Sequence, residues 1–288
     1  MFELKIKRGD FEDLVKKMSL PAGKDEFIFE TIAPTVTPEG YLEWIGQTRQ
    51  FVAWVRAKGL EVSGINEPII IAFKSKDIMK MFKFFKGKNE IITLIHDTES
   101  GEYIFTADND KLKRTTMLQA ISIDEAKERR DKFPVQIDED GIIVSKTGQK
   151  PNLHSICDSS VFRELIKNTN KVMKKKKEEP PYFYHIIFDG ANNMLRTIAG
   201  ESIDSSLTTV DDKVYATSVK GNGIVHYAYL FPEVMNALTG EIELHALEGG
   251  LLWVVQDSDN RRIRYLIPPA RYGNKVKETK LKKTTKCE

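Results

Sequence analysis

Apolar and polar residues alternate along much of the chain. The runs FELKIK (2–7), EFIFETIA (26–33), FVAWVRA (51–57), PIIIAF (68–73), EIITLI (90–95) and EYIFTA (102–107) are rich in β-branched and aromatic side chains. So are YFYHIIFD (182–189), MLRTIA (194–199), KVYATSV (213–219), EIELHAL (241–247), LLWVVQD (251–257) and RIRYLI (262–267). A period of two with this composition predicts strands. Four stretches with a period near 3.6 interrupt them, at about 9–19, 74–86, 159–176 and 230–239, and predict amphipathic helices. The class expected is α+β.

The second half repeats the first. DFEDLVKKM (10–18) matches VFRELIKNT (161–169) at an offset of 151, pairing Phe11 with Phe162, Leu14 with Leu165 and Val15 with Ile166. KGKNEIITL (86–94) matches ALTGEIELH (237–245) at the same offset, and KLKRTTML (111–118) falls near RRIRYLIP (261–268). Three matches in one order predict an internal duplication. The expected boundaries are a first domain over 1–121, a charged linker over 122–141 containing Pro134, a second domain over 142–270, and a flexible basic tail over 271–288.

Composition narrows the field. The chain has 288 residues and is 41% hydrophobic, enough for two packed domains. Lys+Arg is 44 against Asp+Glu 42, so net charge alone points to no polyanion. Two cysteines, Cys157 and Cys287, form neither a disulfide framework nor a zinc spacing. With no secretory signal and no apolar run long enough to span a membrane, a soluble intracellular protein is expected. It would be cytoplasmic in a prokaryote or virus-infected cell and nuclear in a eukaryote.

Charge position changes the picture. Residues 74–88 hold six lysines and one acid, Asp77. On a helix Lys76, Lys80 and Lys83 form one stripe, with Ile78, Met81, Phe82 and Phe85 opposite. Residues 159–177 hold seven bases and one acid, Glu164. There Arg163, Lys167, Lys171 and Lys174 share a face. Solvated helices usually mix signs, because like charges at i,i+4 cost about 0.3 kcal/mol. A face of one sign, at comparable depth in each repeat, suits a polyanion that supplies the counter-charge. Lysine is a point charge without the fork that reads a base edge, so the contact expected is with a backbone.

Local catalytic signals are missing. Asp138, Glu139 and Asp140 sit beside a glycine in an apparent turn, and Cys157 reads as a buried structural thiol. His96, His154, His185, His226 and His245 are scattered without ligand spacing. No cofactor or metal is expected.

In order and pattern, residues 1–270 resemble a DNA sliding clamp of the proliferating-cell-nuclear-antigen type. FELKIKRGDFEDLVKKM resembles the family's first strand and helix, and TPEGYL (37–42) its strand turn. FKSKDIMKMFKFFKGKNEIITLI (73–95) and YLFPEVMNALTGEIELHAL (229–247) resemble the second helix and following strand of each domain. RIRYLIPPAR (262–271) resembles the closing strand and its proline segment. The doubled proline, the basic tail, and Trp44 and Trp54 in strands mark a divergent member.

The resemblance implies two similar domains per chain, helices lining the inside of a ring and antiparallel sheets outside, and a homotrimer around double-stranded DNA. It implies a processivity factor with no enzymatic activity, served by a clamp loader and bound by a DNA polymerase and other replication and repair proteins. Partners would dock beside the linker and the C-terminal segment, here Ile121, Ile123, Phe133, Val135, Leu266, Ile267 and Pro268. The alternative is a two-domain α+β enzyme or ligand-binding protein whose basic helices are merely solvated.

Overall fold

The computed structural model describes residues 2–48, 51–97, 101–109, 112–119, 136–137, 143–144, 151–175, 183–200, 210–227, 231–248 and 250–269. The first repeat contains β1 (Phe2–Lys7), α1 (Arg8–Ser19), β2 (Thr35–Val36), β3 (Leu42–Thr48), β4 (Phe51–Ala57), β5 (Glu61–Ser63) and β6 (Ile69–Ile70). It closes with α2 (Ser75–Met81), β7 (Ile91–Asp97), β8 (Glu102–Asn109) and β9 (Leu112–Gln119). The second repeat contains β10 (Leu153–Asp158), α3 (Ser159–Lys175), β11 (Phe183–Asp189), β12 (Met194–Gly200), β13 (Val210–Tyr215), β14 (Ser218–Lys220) and β15 (Asn222–Tyr227). It closes with α4 (Phe231–Ala237), β16 (Glu241–Ala246), β17 (Leu252–Ser258) and β18 (Arg261–Ile267). Short antiparallel ribbons pair Pro21–Gly23 with Glu26–Phe27, Thr31–Ile32 with Phe73–Lys74, and Gln136–Ile137 with Ile143–Val144.

With nine strands labelled in each repeat, every strand of the first has its counterpart nine labels later. One sheet of the first repeat runs β9-β8-β7-β1-β5, and its counterpart runs β18-β17-β16-β10-β14. The other runs β4-β3-β2-β6, and its counterpart β13-β12-β11-β15. The duplication read from three sequence matches is therefore the organising principle of the fold. The offset of 151 holds residue for residue from β1 to β10, but α4 lies five residues beyond the place it would assign from α2.

The two repeats are sewn together by β18, which pairs antiparallel with β4 from Arg261 opposite Ala57 to Leu266 opposite Val52. This seam makes one nine-stranded sheet, β14-β10-β16-β17-β18-β4-β3-β2-β6. Tyr265 stacks on Phe51, with ring centroids 5.7 Å apart, and its buried hydroxyl donates to the Lys17 carbonyl at 2.8 Å. Arg261 reaches from β18 to α1, where it pairs with Asp13 at 2.7 Å and with Asp10.

Strand parity explains the layers. In β4, Phe51, Ala53, Val55 and Ala57 enter the main core with the helices, while Val52 and Trp54 face the other way. The same alternation sends Ile263, Tyr265 and Ile267 of β18 inward and Leu266 outward. FVAWVRA and LLWVVQD lack clean alternation because both their faces are covered.

The helices form one layer on the inner side. α1 packs on α2 and on α4, and α4 packs on α3, giving the row α2-α1-α4-α3. Helix starts are fixed by main-chain carbonyls. In α1 the amides of Arg8 and Gly9 donate to the carbonyls of Glu90 and Lys88, both at 2.8 Å. A Cβ at Gly9 would approach the Lys88 oxygen to 3.0 Å, so glycine suits the close approach. The amide of Ser159, first in α3, donates to the Gly240 carbonyl at 2.9 Å. Gly40, in the TPEGYL turn, has φ +79° and lies against Leu60, a conformation and a contact that favour glycine.

Candidate nucleic-acid interface

α2 and the 3-10 turn that follows it (Phe82–Phe84) bury Ile78, Met81, Phe82 and Phe85. Phe82 meets Phe11 of α1 edge-to-face at 5.4 Å. That contact rolls the helix so that Lys76, Lys80 and Lys83 are exposed. The Arg8 guanidinium donates to the Phe82 carbonyl at 3.0 Å, holding the end of the helix against α1. Phe84 is 62% exposed beside Lys83, which the apolar pattern alone does not explain.

α3 buries Phe162, Leu165, Ile166 and Thr169. Lys167, Lys171 and Lys174 are exposed. Together with Arg163, Asn170 and Asn236 of α4 they line an open depression floored by Ile166. Arg163 differs from its neighbours. It is half-buried and donates to the Leu238 carbonyl at 2.7 Å, just beyond α4, doing for α4 what Arg8 does for α2. Its charge lies in the depression, but part of its hydrogen-bonding capacity is used inside the fold. Among the described residues no ion pair reaches Lys76, Lys80, Lys83, Lys167, Lys171 or Lys174.

The two basic helices are not equivalent elements. α2 corresponds to α4, which has no basic residue, and α3 corresponds to α1. They stand at the two ends of the helical row, each beside a strand at a sheet edge. α2 packs on β9, and α3 packs on β13. The inner helix α1 has its charges paired within the fold: Glu12 with Arg8 and Lys16, Asp13 with the buried Lys17, and Asp10 and Asp13 with Arg261 of β18.

Of the residues expected to meet partners, Ile121, Ile123, Phe133 and Val135 lie outside the described residues. Leu266 lies on the face opposite the main core, packed with Val52, Trp54, Trp253 and Val255 in an apolar band across the seam, where it is 5% exposed. Pro268 is half-buried at the end of β18. Ile267 is a correction: strand parity turns it into the main core, where it is 1% exposed and presents nothing outward. The sequence reading places Trp54 in a strand but does not show the band it forms with Trp253. The signal available was the unbroken apolar character of β4 and β17. Within the band Trp54 donates to Glu43 at 2.8 Å, and the Arg264 guanidinium lies 5.9 Å from the Trp54 ring centre.

Catalytic candidates fare differently from one another. Cys157 is buried, and burial, followed by the charges of Asp158 and Glu241, pushes its thiol up to about 12. That is an inert thiol. Asp138, Glu139 and Asp140 lie outside the described residues. The histidines are less scattered than their spacing suggests. His154 and His245 face each other across β10 and β16, and Glu243 lies between them.

No protein-family model matches the chain, and no curated protein matches it in sequence. Solved structures do. The PCNA2–PCNA3 complex of Sulfolobus tokodaii matches with a TM-score of 0.66 at 14% identity, over 93% of this chain and 99% of that one. A. fulgidus PCNA bound to the C-terminal region of FEN-1 matches with a TM-score of 0.67 at 12% identity, over 95% and 100%. PCNA of Entamoeba histolytica matches with a TM-score of 0.70 at 10% identity, over 94% and 99%. The chain has the two-domain α+β fold of the PCNA-type sliding clamps, over nearly its whole length.

Proposed function

We propose that this chain is a DNA sliding clamp, in which three copies close head to tail around duplex DNA and tether replication or repair enzymes to it. The observation that carries the reading is the pair of unmatched edges. Inside the chain, β18 of the second repeat pairs with β4 of the first. Their counterparts are β9 and β13, and each is the outermost strand of its sheet among the described residues. A β9 edge on one copy and a β13 edge on the next can therefore form the same seam between molecules. Such head-to-tail contacts give a ring when the rotation closes. The PCNA2–PCNA3 neighbour is a complex of two clamp chains, and the A. fulgidus neighbour carries a peptide of another protein. Both assemblies suit this reading.

At the seam between copies, α2 beside β9 and α3 beside β13 come together as α4 and α1 do at the internal seam. Lys76, Lys80 and Lys83 then lie near Arg163, Lys167, Lys171 and Lys174, on the side where the helices line the hole. A few lysine–phosphate contacts are weakened by salt and are indifferent to sequence, so the ring slides. Encirclement rather than affinity keeps it on DNA. A tethered polymerase rebinds as an intramolecular event at high effective concentration. The chain itself contributes no chemistry. Opening the ring for DNA is work for a clamp loader, and partners dock at the end of β18, at Leu266 and Pro268, and on Ile121, Ile123, Phe133 and Val135 of the linker region, which lie outside the described residues.

Topology is the test. Loaded onto a nicked circular duplex, the protein should co-elute with DNA through gel filtration in moderate salt and be lost when the circle is cut once. Free protein at micromolar concentration should show a mass of about 99 kDa, three copies of a 32.9 kDa chain. Equal retention on circle and linear form, or a monomer that never stimulates a polymerase on primed DNA, overturns the reading.

A further inference from the structure

We propose that His154, Glu243 and His245 form a binding site for one divalent transition-metal ion of the zinc class, on the outer face of the nine-stranded sheet. The site follows from strand geometry. Glu243 and His245 are two apart in β16 and so share a face. His154 stands directly opposite His245 in the neighbouring strand β10, at the separation where side chains of an antiparallel pair touch. The imidazole centres are 4.5 Å apart.

The three ligand atoms converge on one point. Glu243 Oε2 is 3.2 Å from His154 Nε2 and 3.1 Å from His245 Nε2. All three residues offer a ligand atom within 4.8 Å of the others. Ligands held at 2.0–2.1 Å around a tetrahedral zinc ion stand roughly 3.3 Å from one another. The two measured separations are already close to that edge length. Both strands are interior to the sheet, so the ligands sit on rigid backbone and little ordering remains to be done on binding.

The donor set selects the metal. Two imidazole nitrogens and one carboxylate oxygen suit zinc and its neighbours, whereas magnesium and calcium call for a shell of oxygens. Without metal, a ring that carries its proton on Nε2 donates it to the Glu243 carboxylate oxygen. In the bound form each ring carries its proton on Nδ1, and the two Nε2 lone pairs face the ion. Arg264, on the same sheet, is held by both oxygens of Asp257. All three ligands are half-buried, so the fourth position opens to solvent and takes a water. His245 lies across the ladder from Trp253, which sets the ion at the border of the apolar band. The inference is independent of ring formation and of DNA.

The test uses the full chain stripped with a chelator and titrated with Zn2+ in a calorimeter. One site per chain is expected, with an unfolding midpoint raised by about 5 °C in excess Zn2+ and unchanged in Mg2+. Co2+ should give the intense visible bands of a four-coordinate ion. Glu243→Gln, which keeps the side chain's shape, should weaken Zn2+ binding at least tenfold. His154→Ala with His245→Ala should abolish the cobalt bands, while His185→Ala keeps them. Because the ligands are half-buried, the metal-free variants should unfold cooperatively near the parent midpoint. No saturable Zn2+ binding, or full stoichiometry and cobalt bands retained in the double variant, overturns the proposal.

Discussion

Helices α1 and α3 hold the same place in the two repeats and handle charge in opposite ways. In α1 the acids Asp10, Glu12 and Asp13 satisfy Arg8, Lys16, Lys17 and Arg261. Two of those acids also bind the closing strand to the first repeat. In α3 one exposed acid, Glu164, accompanies cations at Lys167, Lys171 and Lys174 that have no ion-pair partner among the described residues. The starts differ too. α1 has no side-chain cap at Lys7, whereas in α3 Asp158 accepts the Ser160 amide at 2.7 Å. The difference teaches that the same scaffold position can serve cohesion or presentation. α1 lies beside the seam inside the chain, and α3 lies beside β13, an outermost strand among the described residues.

The comparison breaks most readily at Asp13. Replacing it with alanine leaves the Lys17 ammonium, 4% exposed, without its partner and loosens Arg261. A loss of about 3 kcal/mol of unfolding free energy is expected in urea titrations. A change below about 1 kcal/mol would mean that α1 is no more cohesive than α3. Next comes Lys80→Glu combined with Lys167→Glu. Polymerase stimulation on primed circular DNA should fall at least about tenfold, or about 1.4 kcal/mol, with a shallower salt dependence and an unchanged unfolding midpoint. Unaltered stimulation would remove these lysines from the mechanism.

Asp158→Ala should cost about 1 kcal/mol, as loss of a helix cap does. Hydrogen bonds from the Ser160 side chain and amide hold the Asp158 carboxyl below its ordinary value. Its contribution is therefore complete above the ordinary carboxylate range, near pH 4, and is lost as pH falls through the lower folded value. Acid titration of parent and variant should converge there; a constant gap down to pH 2 would show that the carboxylate is not the cap. The smallest effect belongs to Lys171→Ala, which should change stability by less than about 0.5 kcal/mol. A larger loss would show a structural role hidden in the depression.

Much of this organisation was legible in the residues. Ile78, Met81, Phe82 and Phe85 were assigned to the buried side of α2 and are buried. Phe11 and Phe162 occupy matching core positions. Several features were not legible, for physical reasons. β3 carries Gly46 and Gln47 among its apolar residues, so alternation does not mark it, and only the family resemblance places Trp44 in a strand. The equivalence of helices depends on insertions between matched segments, so a fixed offset could not show that α2 answers to α4. Ile267 and Leu266 are adjacent, and only the pairing of β18 with β4 fixes which of them faces the core. His154 and His245 meet through a ladder between strands far apart in sequence, and no local spacing rule contains that contact. Four of the seven residues expected to meet partners, Ile121, Ile123, Phe133 and Val135, lie outside the described residues.

The pair of unmatched strands at β9 and β13 has one more consequence. A molecule with complementary ends that cannot reach each other is a monomer unit, and nothing in such an end counts to three. In the proposed ring the copy number is set by the angle each junction adds. A substitution that altered the twist of either strand would leave adhesion intact and turn a planar annulus into a rising spiral, visible as filaments rather than as loss of association.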